Sequence, residues 1–419
     1  MEEIYQIKKA KQFNDASLAV DYIDFLYQES CERIKTAFQD LLNGKTDEEA
    51  MQESSYPFVG IKVTHQDLHL DARLSFGVVS DAGYYGGTVT RPDIFRKYYT
   101  EQLHLLITRH KVPIVVGVSN SSIPLPFVID HVPIDLEPEQ IKQLQEGFVL
   151  PNLSRIDDRT PNGEDSLLNM SLRPLALFSA ERVDFSLHRL QHYTATSPIY
   201  FQSFTLLTNY QRYIEAFISY SREQLRNDPQ NYTQLIGPGN TVLATSEQPD
   251  LKTNSIPYLP QMPAYHLIRK DGQGITFINI GVGPSNAKTI TDHLAVLRPD
   301  CWLMVGHCAG LRSTQMLGDY VLAHAYVRED HVLDQDLPTW IPLPPIAEVQ
   351  VALQQAVANI TDEEGVDLKA RMRTGTLVTT DNRNWELQSR ELSERFRQSR
   401  AIAVDMESAT VAANGFRFR

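Results

Sequence analysis

The 419 residues carry 39 lysines and arginines against 52 acids, a formal net charge of −13. A chain of that length favours two domains over one. The acidic balance argues against broad binding to nucleic acid or to an anionic membrane, while leaving room for a local basic pocket that takes a small anion.

The opening stretch "MEEIYQIKKAKQFNDAS" is charged throughout and is no signal peptide, and no apolar run is long enough to span a bilayer. Three cysteines, Cys31, Cys301 and Cys308, lack paired metal-ligand spacing, so a reduced, cytoplasmic protein is the simplest reading. From residue 16 to 43, Ile23, Leu26, Ile34, Phe38 and Leu41 recur at helical spacing, and Gly44 is placed to end the helix. "LHLDARLSF" alternates, with Leu68, Leu70, Ala72, Leu74 and Phe76 on one side, as in a half-buried strand. "RPDIFRKYYTEQLHLLITRH" opens on Pro92 and predicts a second helix, and "PIVVGVS" a short buried strand. From Ile123 to about Asn162, prolines, acids and polar residues predict irregular connections. Residues 1–180 therefore read as an α+β domain.

Residues 181–419 follow a different pattern. "GITFINI", "CWLMVGHCAGL", "DYVLAHAYV", "TGTLVTTD" and "AIAV" read as strands, alternating with helices such as the one starting near Glu407. That alternation predicts an α/β domain around a central, mostly parallel sheet.

Four of its strand ends carry polar or glycine residues. In "INIGVGPSNAKT", Gly281, Gly283 and Ser285 sit between a strand and a helix, with Lys288 one turn in. Backbone N–H groups at such a turn attract an anion, although a plain tight turn capped by Ser285 reads equally well. The motif lacks the Gly-Lys-Ser/Thr ending of a P-loop and the third glycine of a dinucleotide fingerprint. "LMVGHCAGLR" ends a strand with His307, Cys308 and Arg312. Neighbours on a strand point to opposite faces, so His307 and Cys308 are poorly disposed to share a metal, and no metal site is expected. "VTTDNRNWEL" offers Asp381, Arg383 and Trp385, either as a base-stacking site or as a turn over a core Trp. In "AVDMESA", Glu407 can accept two hydrogen bonds from a vicinal diol and stabilise positive charge growing on a sugar, with Met406 against the ribose face. Its plain alternative is an acid in the first turn of a helix. Together the four motifs describe a pocket for a nucleoside or nucleotide.

"GVGPS", "VGHCAGL", "VTTDNRNWE" and "VDMESATVAA", in this order, resemble the nucleoside phosphorylase and nucleosidase superfamily, and most closely its AMP nucleosidase branch. "RVDFSLHRLQHYTATSPIYFQSFTLLTNYQRY" and "GDYVLAHAYVREDHVLD" extend the resemblance over nearly the whole chain. It implies a three-layer α/β catalytic domain behind a regulatory N-terminal domain, hydrolysis of AMP to adenine and ribose 5-phosphate, and a hexamer. It also implies MgATP as allosteric activator, phosphate as inhibitor and no cofactor for the chemistry. By motif position, Met406 and Glu407 would bind ribose, and Asp381, Trp385 and Met406 the base. Gly281, Gly283, Ser285, Lys288, Arg312 and Arg383 would hold the phosphate, with "GPG" at 237–239 a further loop. Met304 and His307 stand where hexameric phosphorylases carry an Arg and a Ser for attacking phosphate, which favours water as nucleophile. The superfamily's general acid is an Asp in a Ser-Asp segment after the Met-Glu helix. This sequence stops at Arg419, before such a segment, and so reads as shortened, with both acids of "VDMES" assigned to the ribose site. Competing readings are a purine nucleoside phosphorylase, a methylthioadenosine nucleosidase, or a catalytically impaired nucleotide-binding oligomer.

Overall fold

The computed structural model describes residues 2–44, 54–68, 76–129, 136–164, 171–251 and 259–418. The chain divides into two compact units between His188 and Arg189.

The first unit contains helix α1 (Glu2–Tyr5), strand β1 (Lys8–Phe13), helix α2 (Ala16–Leu42), β2 (Ser55–Val63), β3 (Gly83–Thr88), α3 (Pro92–His110), β4 (Ile114–Ser122), α4 (Pro138–Gly147) and β5 (Arg173–Pro174). Helix α5 (Ala180–Thr194) crosses the division. The strands order as β1-β4-β2-β3-β5, antiparallel except for the β3–β5 pair. Helix α2 starts where Asp15 accepts the N–H of Leu18 at 3.0 Å, an N-cap that supplies one orphan donor with a partner. Its apolar stripe, including Val20, Ile23 and Leu26, packs with Ile61, Ile114 and Val116 of the sheet and Leu103 and Leu106 of α3. Both long helices thus fall where the periodicity predicts them, because burying that stripe against a β-branched sheet face is the favourable outcome.

The stretch read as irregular holds a helix, α4. Glu137 and Gln140 form a capping box around Pro138 in the first turn, a local signal that the proline content obscured. Most of the alternating stretch from Leu68 to Phe76 lies outside the described residues. No sequence motif announced Asp184, which is buried and accepts hydroxyls from Tyr56 at 2.8 Å and Thr90 at 2.9 Å. Burial pushes its carboxyl up to about 7.

The second unit contains β6 (Phe204–Thr208), α6 (Gln211–Asn227), β7 (Tyr232–Gly237), β8 (Thr241–Thr245), β9 (Ala264–Arg269), β10 (Ile275–Asn279), α7 (Pro284–Leu294), β11 (Cys301–Met304), β12 (Ala309–Gly310), β13 (Tyr320–Glu329), α8 (Ala347–Thr361), α9 (Gly365–Arg371), β14 (Met372–Thr380), α10 (Ser389–Gln398), β15 (Ala403–Asp405) and α11 (Ser408–Arg417). The α/β expectation holds, but the strands form two mixed sheets rather than one mostly parallel sheet. One orders as β11-β6-β10-β9-β7-β8, the other as β12-β15-β14-β13. Among the described residues of this unit, only β11–β6, β6–β10, β13–β14 and β14–β15 pair in parallel. The short segments 232–245 and 264–279 turn back on themselves, which a parallel crossover of a dozen or more residues does not allow. Among the described residues no helix is long and apolar enough to cross a membrane.

Candidate active site

The parallel strands β6, β10 and β11 end side by side: Thr208 lies opposite Asn279, and Leu207 opposite Met304. Carboxyl ends of neighbouring parallel strands leave a crevice where an α/β sheet receives a ligand. Past β10 the chain turns through Gly281 and Gly283. Gly283 sits at φ 112° and ψ 155°, a conformation essentially closed to residues with a Cβ. Pro284 then begins α7, so Gly283 and not Ser285 is the N-cap, and Ser285 is exposed inside the first turn.

The Gly283 N–H donates to Glu407 Oε1 at 2.7 Å. Glu407 is 1% exposed, at the carboxyl end of β15, so this bond joins the end of one sheet to the glycine turn of the other. Burial pushes the Glu407 carboxyl up to about 7; the negative Asp405 adds to that, while the Gly283 N–H and the Asn209 amide pull it down. A carboxylate has about four acceptor positions, so one that takes the Gly283 N–H and the Asn209 amide keeps positions for a ligand. The glycine turn therefore grips the protein's own acid, and the Gly283 N–H expected to bind a phosphate is already engaged.

The two acids of "VDMES" have different partners. Asp405 accepts the Thr379 hydroxyl at 2.6 Å and the Ser408 N–H at 2.9 Å, and Thr379 Oγ1 accepts the Ala409 N–H at 2.9 Å. Asp405 thus ties the start of α11 to β14 instead of joining a ribose site, and burial raises its carboxyl too. Met406, between them, is half-buried.

The other expected residues separate. Lys288 pairs with Asp292 at 2.7 Å and lies 3.8 Å from Asp336, which directs its charge along α7 and away from the turn. Arg312 follows β12, which runs antiparallel to β15 with Gly310 opposite Ala403. It therefore sits level with the beginning of β15, at the opposite end from Glu407, and cannot share a phosphate with the glycine turn. Asp381 and Arg383 are exposed past the end of β14, on the same edge as Glu407 because Thr379 is opposite Asp405. Trp385 packs edge-on against Phe396 of α10, centroids 5.8 Å apart, beside Val378 and Val404; of its two readings, the core one describes this packing. In "GPG", Pro238 is buried and the Gly239 N–H donates to Ala195 O at 2.7 Å, so that donor also is taken.

Three further groups stand at this edge: His307, from the "GHC" turn, and Asn209 and Asp330, to which the sequence assigned no role. Asn209 follows β6, and its buried Oδ1 has no hydrogen-bond partner among the described residues. His307, exposed past β11, packs against Tyr210 at 4.1 Å and Tyr213 at 5.7 Å between ring centroids. Asp330 follows β13, is fully buried, accepts the Thr410 hydroxyl of α11, and has its carboxyl raised by burial. Each needs strand order to bring it here, although "RED" falls directly after a predicted strand.

Residues 18–170 match the family of the bacterial AMP nucleoside phosphorylase N-terminus, and residues 238–419 match the phosphorylase superfamily. The AMP nucleosidase of Escherichia coli, in each of two strains, is 46% identical to this chain over 407 residues, spanning 96% of this chain and 84% of that protein. The chain belongs to the AMP nucleosidase family. Among solved structures, an AMP nucleosidase from Bacteroides thetaiotaomicron is 27% identical, covers 56% of this chain and 82% of its own, and has a TM-score of 0.43. A uridine phosphorylase from Vibrio fischeri is 12% identical over 52% of this chain and 74% of its own, with a TM-score of 0.37.

Membership of the AMP nucleosidase family gives the Gly283–Glu407 contact a direct test. Gly283→Ala should cost about 1–3 kcal/mol of stability, because the backbone must leave a glycine-only conformation. It should also lower kcat/KM for AMP as the N–H swings off Glu407. Urea unfolding and initial rates check both; an unchanged midpoint would mean the turn accepts another conformation.

Proposed function

We propose that this chain hydrolyses the N-glycosidic bond of AMP to adenine and ribose 5-phosphate. The observation that carries the reading is Glu407, buried at a strand end, raised toward neutrality and held by the Gly283 N–H. Ionised, it accepts the two ribose hydroxyls and sits beside the sugar as the glycosidic bond stretches. Its negative charge then stabilises the oxocarbenium-like transition state, in surroundings where water screens it little. Met406 would lie along the ribose, and the Asp381–Trp385 turn would border the base. Of the cations expected to hold the 5′-phosphate, Arg383 stands on the right edge.

Water is the nucleophile in this reading. At the end of β11 the chain presents Met304 and the tyrosine-packed His307, and neither offers the fork of donors that an attacking phosphate needs. We extend the proposal to activation by MgATP, inhibition by phosphate, a hexamer and a cytoplasmic location; these rest on the family resemblance.

Chromatography of AMP incubated with the full chain in phosphate-free buffer tests the reaction. Adenine and ribose 5-phosphate are the expected products. Dependence on added phosphate would assign a phosphorylase instead, and faster cleavage of 5′-methylthioadenosine the corresponding nucleosidase.

A further inference from the structure

Asn209 is the first residue past β6, the strand that lies between β11 and β10, so it enters the crevice from the middle of the strand ends. Its side-chain amide hydrogen-bonds Glu407. An amide has a donor end and an acceptor end, and an ionised carboxylate only accepts, so the Nδ2 end faces Glu407 and Oδ1 points away. That oxygen is buried and has no hydrogen-bond partner among the described residues. It lies against Gly306, past β11: a Cβ built there would stand 3.2 Å from Oδ1. Gly306 does not have a positive φ, so its missing side chain, rather than backbone freedom, is what lets the carbonyl lie there. An unpaired buried carbonyl is destabilising, and a leucine of nearly the same size would avoid the loss. The presence of an amide here is therefore explained by what its other end does.

We propose that Asn209 is a positioning residue for the hydrolysis of AMP, its amide fixing the Glu407 carboxylate in the orientation that receives the ribose. This rests on Glu407 as the ribose-binding acid of the proposed reaction. The Gly283 N–H alone leaves the carboxylate free to turn about one bond, and a second donor from another strand end removes that freedom. Both donors favour the ionised form, against burial and the negative Asp405 of β15. The other titratable groups on neighbouring elements are Asp292 of α7, paired with Lys288 and Arg417, Asp330 past β13, Asp381 past β14 and His307 past β11. Replacing Asn209 leaves all of these in place.

The test is the initial rate of adenine release from AMP by the full chain across about pH 5 to 9, for the parent, Asn209→Leu, Glu407→Gln and the double variant N209L/E407Q. N209L should lower kcat by at least about tenfold, the scale on which a misplaced group slows an enzyme, and should move the midpoint of the kcat/KM profile to higher pH. On the E407Q background the same replacement should lower the rate no further, because residues that act through one group are not additive. Asn209→Ala is measured alongside in case the leucine does not fit, and unfolding curves show which variants are folded. A rate and profile equal to the parent's in the folded Asn209 variants, or an equal loss on the E407Q background, would overturn the inference alone. Parental turnover in E407Q, or no adenine from the parent, would overturn the reading of the reaction and the inference with it.

Discussion

Replacing Glu407 with glutamine should lower kcat for AMP by roughly 10²–10³, the typical loss when one preorganised electrostatic stabiliser of a transition state is removed. Glutamine keeps the shape and an oxygen able to accept the Gly283 N–H, so the turn and the start of α11 should survive; only the negative charge disappears. In the proposed mechanism that charge is what the developing oxocarbenium ion requires. Initial rates of adenine release check the loss, and unfolding curves check that the fold persists. Turnover within a few-fold of the parent would remove Glu407 from the reaction.

The same residue sets a pH dependence. With its carboxyl at about 7, Glu407 is largely protonated in mildly acidic solution and, in the proposed role, takes its active form only as the pH rises. The kcat/KM for AMP should fall about tenfold per unit below pH ~7, since that parameter reports the ionisation of the free enzyme. Stability runs the other way. In the unfolded chain a glutamate ionises near its ordinary value of 4.5, well below the folded one. Between these values the folded protein holds a proton that the unfolded chain releases, so the contribution is full below about 4.5 and is lost as pH rises through about 7. Asp184, raised to about 7 by burial in the first unit, acts in the same direction. Activity should therefore rise over the window in which these two groups withdraw stability. A pH series of kcat/KM beside a pH series of urea midpoints checks both signs. In E407Q the Glu407 part of the stability loss should vanish, and a parent rate flat from pH 5 to 8 would show that ionisation of Glu407 does not limit the reaction.

Much of the fold is legible in the sequence because the forces that set it are local or periodic. The apolar stripe of residues 16–42, the Asp15 cap and the proline opening at 92 specify helices wherever the chain lies. The glycines after β10 announce a backbone conformation that few other residues adopt, and "VDMES" announces acids at a strand end. The family resemblance rests on those same short stretches.

What only the tertiary structure decides is which partner each of these groups meets. Gly283 and Glu407 are 124 positions apart, and no local rule pairs them; the order and register of two sheets bring the N–H to the carboxylate. The antiparallel return of β12 along β15 carries Arg312 to the far end of the sheet, although its motif reads as part of the same site. Asp405 and Glu407 look alike in sequence, yet Thr379 on the adjacent strand engages one and leaves the other to the crevice. Lys288 looks like an anion ligand until Asp292 and Asp336 take its charge. Sequence alone determined the residue types and the elements that carry them. Their roles follow from contacts between distant segments, because hydrogen bonds and ion pairs act over a few ångströms and only folding brings those segments that close.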